Sequence, residues 1–281
     1  MKAYPVIILC KVMKVSRSGF YDYLHRVNCG TDDSPEKTAL ATRVRAIFKE
    51  HLSKYGSRRI MKQLNEEGYN VGRYKIRRIM KLLGLKAKMS RRFKVTTDSR
   101  HSFPVAPNVL NRNFDVTQPN KVWTADISYV WTLEGWLYLA IVMDLFSRQI
   151  VGWAVDKRMK KQLAIDALAM AFFRRRPEPG LLHHSDRGSQ YACYNYQKHL
   201  KQFHMIPSMS RKGNCWDNAP TERFFRSLKS ERLSDCRFTT RQAANMEVLD
   251  YISYYNSIRL HSTLGYKSPF AYEKEQCRLA A

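Results

Sequence analysis

From residue 122 apolar and polar positions alternate with period two, so that Trp123, Ala125, Ile127 and Tyr129 share one side of a strand and Thr124, Asp126 and Ser128 the other. Two more strand-type runs follow. Together 122–131, 136–146 and 149–155 predict an antiparallel meander, turned at Glu134-Gly135 and at Ser147-Arg148. The period becomes helical over 160–174 and returns to a short strand at Leu181 to Ser185. A helix at 192–203, a strand at 206–209, a loop over 210–218 and a helix holding Glu222 follow. Upstream, three helices are expected at about 37–54, 57–67 and 72–83, the last two stopped by Gly68 and Gly84. Ile60, Leu64, Ile76, Ile79, Met80 and Leu83 would form their common core.

That core leaves Arg73, Lys75, Arg77, Arg78 and Lys81 outside. Two short helices around a tight turn, the second cationic, predict a helix-turn-helix facing DNA over 37–85; a merely solvated basic face is the competing reading. Residues 1–36 form an N-terminal helical segment with a Ser-rich turn. Residues 86–115, basic at first and then proline-rich without periodicity, read as a linker whose Arg91 and Arg92 touch phosphate. The second domain then occupies 116–281, with a helical C-terminal extension.

Charge sharpens this division. The chain carries 49 Lys and Arg against 24 Asp and Glu, a net +25, which asks for a polyanionic partner. Of these, 25 basic and 9 acidic residues lie in 1–115, so the excess is greatest on the N-terminal side. The six cysteines show no zinc or redox spacing, and no apolar run is long enough for a signal peptide or a membrane span. The expectation is a cytoplasmic protein with no membrane partner.

Three carboxylates carry the candidate chemistry. Asp186 stands at the mouth of the strand ending at Ser185, with Gly188 beyond it to turn the chain. Glu222 lies 35 intervening residues later on a helix that Asp217 or Asn218 can cap and in whose first turn Pro220 is tolerated. Helical spacing buries Phe224, Phe225 and Leu228 and puts Lys229 on the Glu222 side. With Asp126, these acids form the oxygen-rich set that hard divalent ions need for phosphoryl chemistry, Mg²⁺ first and Mn²⁺ as a substitute. One ion would activate a water or sugar hydroxyl and the other would stabilise the leaving oxygen. Lys229 would steady a phosphate.

Asp126, Asp186, Glu222 and the Lys seven residues on resemble the DDE triad of the retroviral-integrase superfamily. The chain is similar, more narrowly, to second-frame (OrfB-type) transposases of bacterial two-frame insertion sequences. The stretches that carry this are Val15 to Tyr21, Tyr55 to Ile60, Trp123 to Tyr129, Asp144 to Arg148, His184 to Tyr191, Gly213 to Leu228 and Tyr255 to Pro269, in family order. The resemblance implies an α/β fold: a ribonuclease-H-like integrase catalytic core, with a mixed five-stranded sheet and flanking helices, preceded by an all-α helix-turn-helix region. It also implies that Asp126 and Asp186 lie on neighbouring strands and that residues 1–30 are a partial helix-turn-helix, where the residues alone allow a surface hairpin equally well. Expected partners are double-stranded DNA, as element ends and target, further copies of the chain on that DNA, and an upstream-frame protein or fusion. The implied route is copy-out and paste-in through a circular intermediate.

Other residues compete for the site. Asp144 ends the second strand and reads as a partner of Arg148 or of turn amides, with metal contact as the lesser reading. His183 and His184 read as satisfied core histidines, Lys212 to Trp216 as an active-site flap, and Arg259 and His261 as packing residues with possible DNA contact. Two alternative functions remain: a DNA-binding regulator or inhibitor of transposition with an idle nuclease core, and a ribonuclease H or resolvase-like hydrolase.

Overall fold

The computed structural model describes residues 5–28, 35–87, 102–211 and 214–280, and the chain divides into two units, 1–87 and 88–281. In the first, α1 (Val6–Val12) and α2 (Arg17–Asn28) are joined by a turn in which Ser16 Oγ accepts the Gly19 N–H at 3.0 Å. Then come α3 (Pro35–Glu50), α4 (Ser57–Glu66) and α5 (Arg73–Leu82). Leu40, Val44, Ile47, Tyr55, Ile60, Leu64, Ile76 and Met80 are buried together, each large side chain contributing about 1.5–3 kcal/mol. Arg43 ties α3 to the end of α4 through Glu67 (2.6 Å) and to its own helix through Glu50 (2.8 Å). The first of these helices ends at Glu50, short of the expected 54, because Leu52 and Ser53 turn into left-handed backbone (φ 50° and 62°) and the His51 ring stacks on Tyr55.

The second unit is built on β1 (Val122–Thr132), β2 (Gly135–Asp144), β3 (Ile150–Asp156), β4 (Leu182–Ser185) and β5 (Ile206–Met209), in the order β3-β2-β1-β4-β5. The first three strands pair antiparallel as the alternation predicts. β4 and β5 join parallel, so the sheet is mixed. One face is covered by α6 (Lys161–Arg175) and α8 (Tyr194–Gln202), which bury Trp123, Ala125, Ala140 and Val142 with Leu168 and Tyr196. The other is covered by α9 (Ala219–Leu228) and α10 (Arg241–Ser257), over Leu139, Ile141 and Met143. α11 (Pro269–Ala280) closes the chain. α6 lies so close to β3 that a Cβ on Gly152 would stand 2.3 Å from the Ala167 carbonyl oxygen.

Two expectations are corrected. The helix expected over 192–203 is broken at Cys193, which takes extended backbone (φ −67°, ψ 148°) between α7 (Ser189–Ala192) and α8. The linker expected over 86–115 is shorter, because 102–115 packs on the second unit. Phe103 and Ala106 lie against the α6 side, Leu110 is buried on the α10 side, and the Ser208 hydroxyl accepts the Val109 and Leu110 amides at 3.0 and 3.2 Å. These apolar residues lie among prolines with no period, so no pattern announces them. Arg91 and Arg92 lie outside the described residues.

Candidate active site

β4 pairs with β1 only as far as Ala125 opposite Ser185. Asp126 continues β1 beyond that pair and Asp186 is the first residue past the end of β4; the Asp186 charge acts on the Asp126 carboxyl. Gly188 donates its amide to Asp186 Oδ1 at 2.9 Å, and a Cβ on Gly188 would stand 3.0 Å from that oxygen, so a larger residue would crowd the turn. Asp126 Oδ1 accepts the Ile127 amide at 2.7 Å.

α9 is pinned to this point of the sheet. Thr221 donates to Asn218 Oδ1 (2.8 Å) and shares a hydrogen bond with the Thr124 hydroxyl (2.7 Å), while Asn218 Nδ2 donates to the Ala125 carbonyl at 3.1 Å. Glu222 therefore starts one residue beyond a side chain bonded to the strand that carries Asp126. Neither Thr221 nor Asn218 as a strand contact was legible in the sequence; Thr124 on the Asp126 side was the only hint of a polar partner there. The apolar face of α9 buries Phe224, Phe225 and Leu228 as the helical spacing requires.

Electrostatics show the three acids acting on one another. Burial first, and then the Asp186 carboxylate, push the Asp126 carboxyl well above the usual carboxylate range; Glu222 adds to this, and the Ile127 amide and Lys229 oppose it. Burial also raises Glu222, with Arg226 opposing and Asp186 reinforcing. Lys229 is the first residue of a π-helical turn, Lys229–Leu233, in which the Ser234 amide reaches the Lys229 carbonyl at 2.8 Å. Its ammonium lies 4.8 Å from the centre of the Tyr129 ring; burial lowers its pKa and Asp126 raises it. The residue expected beside Glu222 thus reaches to the Asp126 strand.

Among the described residues no three His, Cys, Asp or Glu side chains converge closely enough to enclose a metal ion by themselves. Mg²⁺ does not need such a cage, since it is held by one or two carboxylates with substrate phosphate oxygens and water. A pair of neighbouring carboxylates, one of them with a strongly raised pKa, is a donor set that a hard cation relieves. The residues fit such an ion.

The rivals have other work. Asp144 is buried and accepts the Asn120 and Phe146 amides at 2.8 and 3.0 Å, as turn-amide binding requires, but its cation is Arg175 at 3.4 Å rather than Arg148, which bonds the Phe114 carbonyl. Asp217 makes no cap. Buried, it accepts from Arg211 (Nε 3.0 Å), Arg112 (Nε 2.7 Å) and Asn108 (2.9 Å), and the two arginines, Arg211 foremost, hold its carboxyl well below the usual range. Arg112 is thereby an internal tie rather than a phosphate contact. Arg259 is buried too, on Glu231 at 2.6 and 2.7 Å, Ser227 Oγ at 3.1 Å and His261 at 3.1 Å, as its packing reading requires, and it is not placed to meet DNA. Lys212 and Gly213 of the expected flap lie outside the described residues, and Trp216 is exposed. On α5, Arg73, Lys75, Arg77, Arg78 and Lys81 are all exposed.

His183 and His184 are satisfied, by Tyr196 Oη (3.0 Å) and by Ser208 and Ser210 Oγ (2.9 and 3.1 Å). Burial pushes their pKa values down to about 3 and about 4, so both are neutral and unsuited to holding phosphate. The unfolded chain, with its histidines at 6.5, binds more protons below that pH than the folded chain. Stability should therefore fall as pH drops from about 6.5 toward 4, by up to about 1.4 kcal/mol per pH unit for each histidine. Melting curves from pH 7 to 5 test this, taken with Asp126→Asn so that ionisation of the acids does not oppose the trend; a flat profile would then contradict the buried neutral pair.

Comparison with known proteins adds a second line. A family model described as "Integrase core domain" matches residues 116–215, a second of that description matches 222–276, and one described as "HTH-like domain" matches 35–93. The "Insertion element IS600 uncharacterized 31 kDa protein" of Shigella sonnei is 45% identical over 274 residues, covering 97% of this chain and all of that protein. "Transposase for insertion sequence element IS904" of Lactococcus lactis is 44% identical over 85% of this chain and 95% of its own length. "Transposase InsF for insertion sequence IS3A" of Escherichia coli K12 is 38% identical over 97% of this chain and 95% of its own.

Proposed function

The chain belongs to the insertion-sequence transposases that carry an integrase core domain, and from that premise we propose that it binds the ends of its element and joins their freed 3′-hydroxyls to target DNA through Asp126, Asp186 and Glu222. The observation that supports the assignment is the pinning of α9 to β1 at Thr124 and Ala125, together with the action of Asp186 and Glu222 on the Asp126 carboxyl. Divalent-metal dependence accompanies the integrase core. The ion we assign is Mg²⁺, with Mn²⁺ as a substitute; held by Asp126 and Asp186, it would supply an activated oxygen nucleophile and stabilise the leaving oxygen.

The chain's own residues provide the setting. Asp126 and Asp186 would hold the cation through which the reacting phosphodiester is bound near the open end of β4. Glu222 approaches from α9, which needs no rearrangement of the sheet. Lys229, held against the Tyr129 ring, offers its ammonium to a non-bridging phosphate oxygen without neutralising the pair of aspartates. Arg73, Lys75, Arg77, Arg78 and Lys81 on α5, with Arg91 and Arg92, hold duplex through phosphate contacts and so weaken with salt. The chain acts as an oligomer on DNA, and an upstream-frame protein or fusion is its partner. No helix among the described residues is long and apolar enough to cross a membrane.

The test is Mg²⁺-supported joining of end oligonucleotides to a plasmid. Lys229→Ala should lower joining about tenfold or more with little change in melting temperature, since the side chain is only half-buried. Binding of end DNA without joining, in the chain and in its upstream-frame fusion alike, would favour the reading of a regulator with an idle core.

A further inference from the structure

Beyond the acids, the β1–β2 hairpin carries a group of rings that the joining reaction does not use. Tyr129 is opposite Tyr138 and Trp131 is opposite Trp136. Cross-strand partners point to the same side of a sheet, so the four rings share one face. They touch edge to face, with centroids 4.8 Å apart for Tyr129–Trp136, 4.7 Å for Trp131–Trp136 and 6.4 Å for Tyr129–Tyr138. Tyr129 and Tyr138 are half-buried, Tyr138 against the α6-side core, but Trp131 is 57% exposed and Trp136 41%, with Leu133 at 76% beside them at the hairpin tip. Large aromatic surface left open in this way marks a binding face.

What it binds is indicated by its two ends. At one, the Lys229 ammonium stands 4.8 Å from the Tyr129 ring centre; Tyr129 is three residues along β1 from Asp126, about 10 Å, on the opposite face of the sheet, and Lys229, which also acts on Asp126, spans the two at the edge of β1 that β4 leaves open. At the other, Tyr138 is opposite Asp156, where the β3–α6 loop begins with exposed Lys157, Arg158, Lys160 and Lys161. That loop returns toward the acids, for Gln190, four residues after Asp186, donates to the Met159 carbonyl at 3.3 Å. The nearby acids are engaged: Asp156 by the Arg158 amide and Glu134 by the Arg241 amide. Exposed rings bordered by cations fit a strand of nucleic acid whose bases are unpaired, since any base can stack on such rings while its phosphates meet the cations. A second copy of the chain fits less well, because the same basic rim on both partners would bring like charges together.

We propose that Tyr129, Trp131, Trp136 and Tyr138 form a stacking platform for unpaired bases of the DNA strand that enters the active site. The inference rests on the transposase reading. The strand would pass from the platform over the open edge of β1, beside Lys229, to reach the Asp126 side. The hairpin would then keep an opened end from re-pairing while its phosphate is positioned.

The test uses the whole chain and end duplexes that are either fully paired or have four unpaired nucleotides beside the cleavage position, with 2-aminopurine in the unpaired stretch. The wild type should bind the opened duplex more tightly, quench the 2-aminopurine and show quenched tryptophan emission. Trp131→Ala with Trp136→Ala should lower affinity for the opened duplex by about tenfold or more and leave that for the paired duplex unchanged. The double Phe variant should retain most of the preference. An opened duplex bound no better than a paired one, with no tryptophan quenching in the wild type, would overturn the platform and leave the transposase reading standing. So would a double Ala variant that loses self-association but keeps its preference, which would make the face a contact between copies. Failure of the wild type to bind either duplex would remove both readings together.

Discussion

Asp126→Asn should reduce strand joining by ~10³-fold or more while leaving affinity for end DNA unchanged. The exchange keeps the shape of the side chain and its ability to accept the Ile127 amide, and removes only the charge. Asp186→Asn and Glu222→Gln should do the same, and the three losses should not add, because a site lacking one acid already fails as a unit. A second readout does not depend on turnover. The Asp126 pKa is raised in the folded chain by burial and by Asp186, so the stabilising contribution of its protonated form is lost as pH rises through that value. Ionising the cluster therefore costs stability. Asp126→Asn should melt higher than the wild type in metal-free buffer, and Mg²⁺ should raise the melting temperature of the wild type more than that of the variant. Asp144→Asn should show the opposite pattern, losing stability through the Asn120, Phe146 and Arg175 contacts while keeping the joining reaction per folded molecule. Full joining by Asp126→Asn or Glu222→Gln would end the assignment.

The largest loss of stability should come from Arg259→Ala, at about 3–5 kcal/mol. The guanidinium is 5% exposed and bonds both oxygens of Glu231, which also accepts from the Tyr251 hydroxyl at 2.9 Å. Truncation leaves that carboxylate buried without its cation beneath α10. Urea denaturation measures the cost. Salt titration of DNA binding supplies the contrast, because an arginine that touched phosphate would lower the salt slope by about one and spare stability. An unchanged denaturation midpoint with a reduced slope would restore Arg259 to the DNA surface.

The architecture was legible where one periodicity persists. Strand alternation from Val122 and helical spacing around Phe224 and Leu228 gave the meander and the helix of Glu222 to within a few residues, and the chemistry of three acids with Lys229 followed from residue type. The adjacency of Asp126 and Asp186 came from family likeness, since nothing local in Leu181 to Ser185 says which strand it will join. Ion pairs were the least legible. Arg175 rather than Arg148 meets Asp144, and Arg112 meets Asp217 across 105 positions. Such partners are set by how elements pack, and a charge on a loop looks alike whether it faces water or a buried carboxylate. The role of 102–115 was hidden for a related reason: a segment that hydrogen-bonds through its backbone to Ser208 needs no repeating side-chain pattern.

The π-helical turn after Leu228 bears on how positions are compared between relatives. An α-turn closes on the fourth residue and this one closes on the fifth, from Lys229 to Ser234. The stretch therefore holds one residue more than an uninterrupted helix of the same reach. Intervals counted from Glu222 keep their geometric meaning up to Lys229. After it, a relative whose helix continues as α would present the counterpart of Glu231 one step out of phase, and an alignment forced without a gap would pair this carboxylate with a residue pointing elsewhere. In this chain the interval from Glu222 to Lys229 is a ruler, and the interval from Lys229 to Glu231 is not.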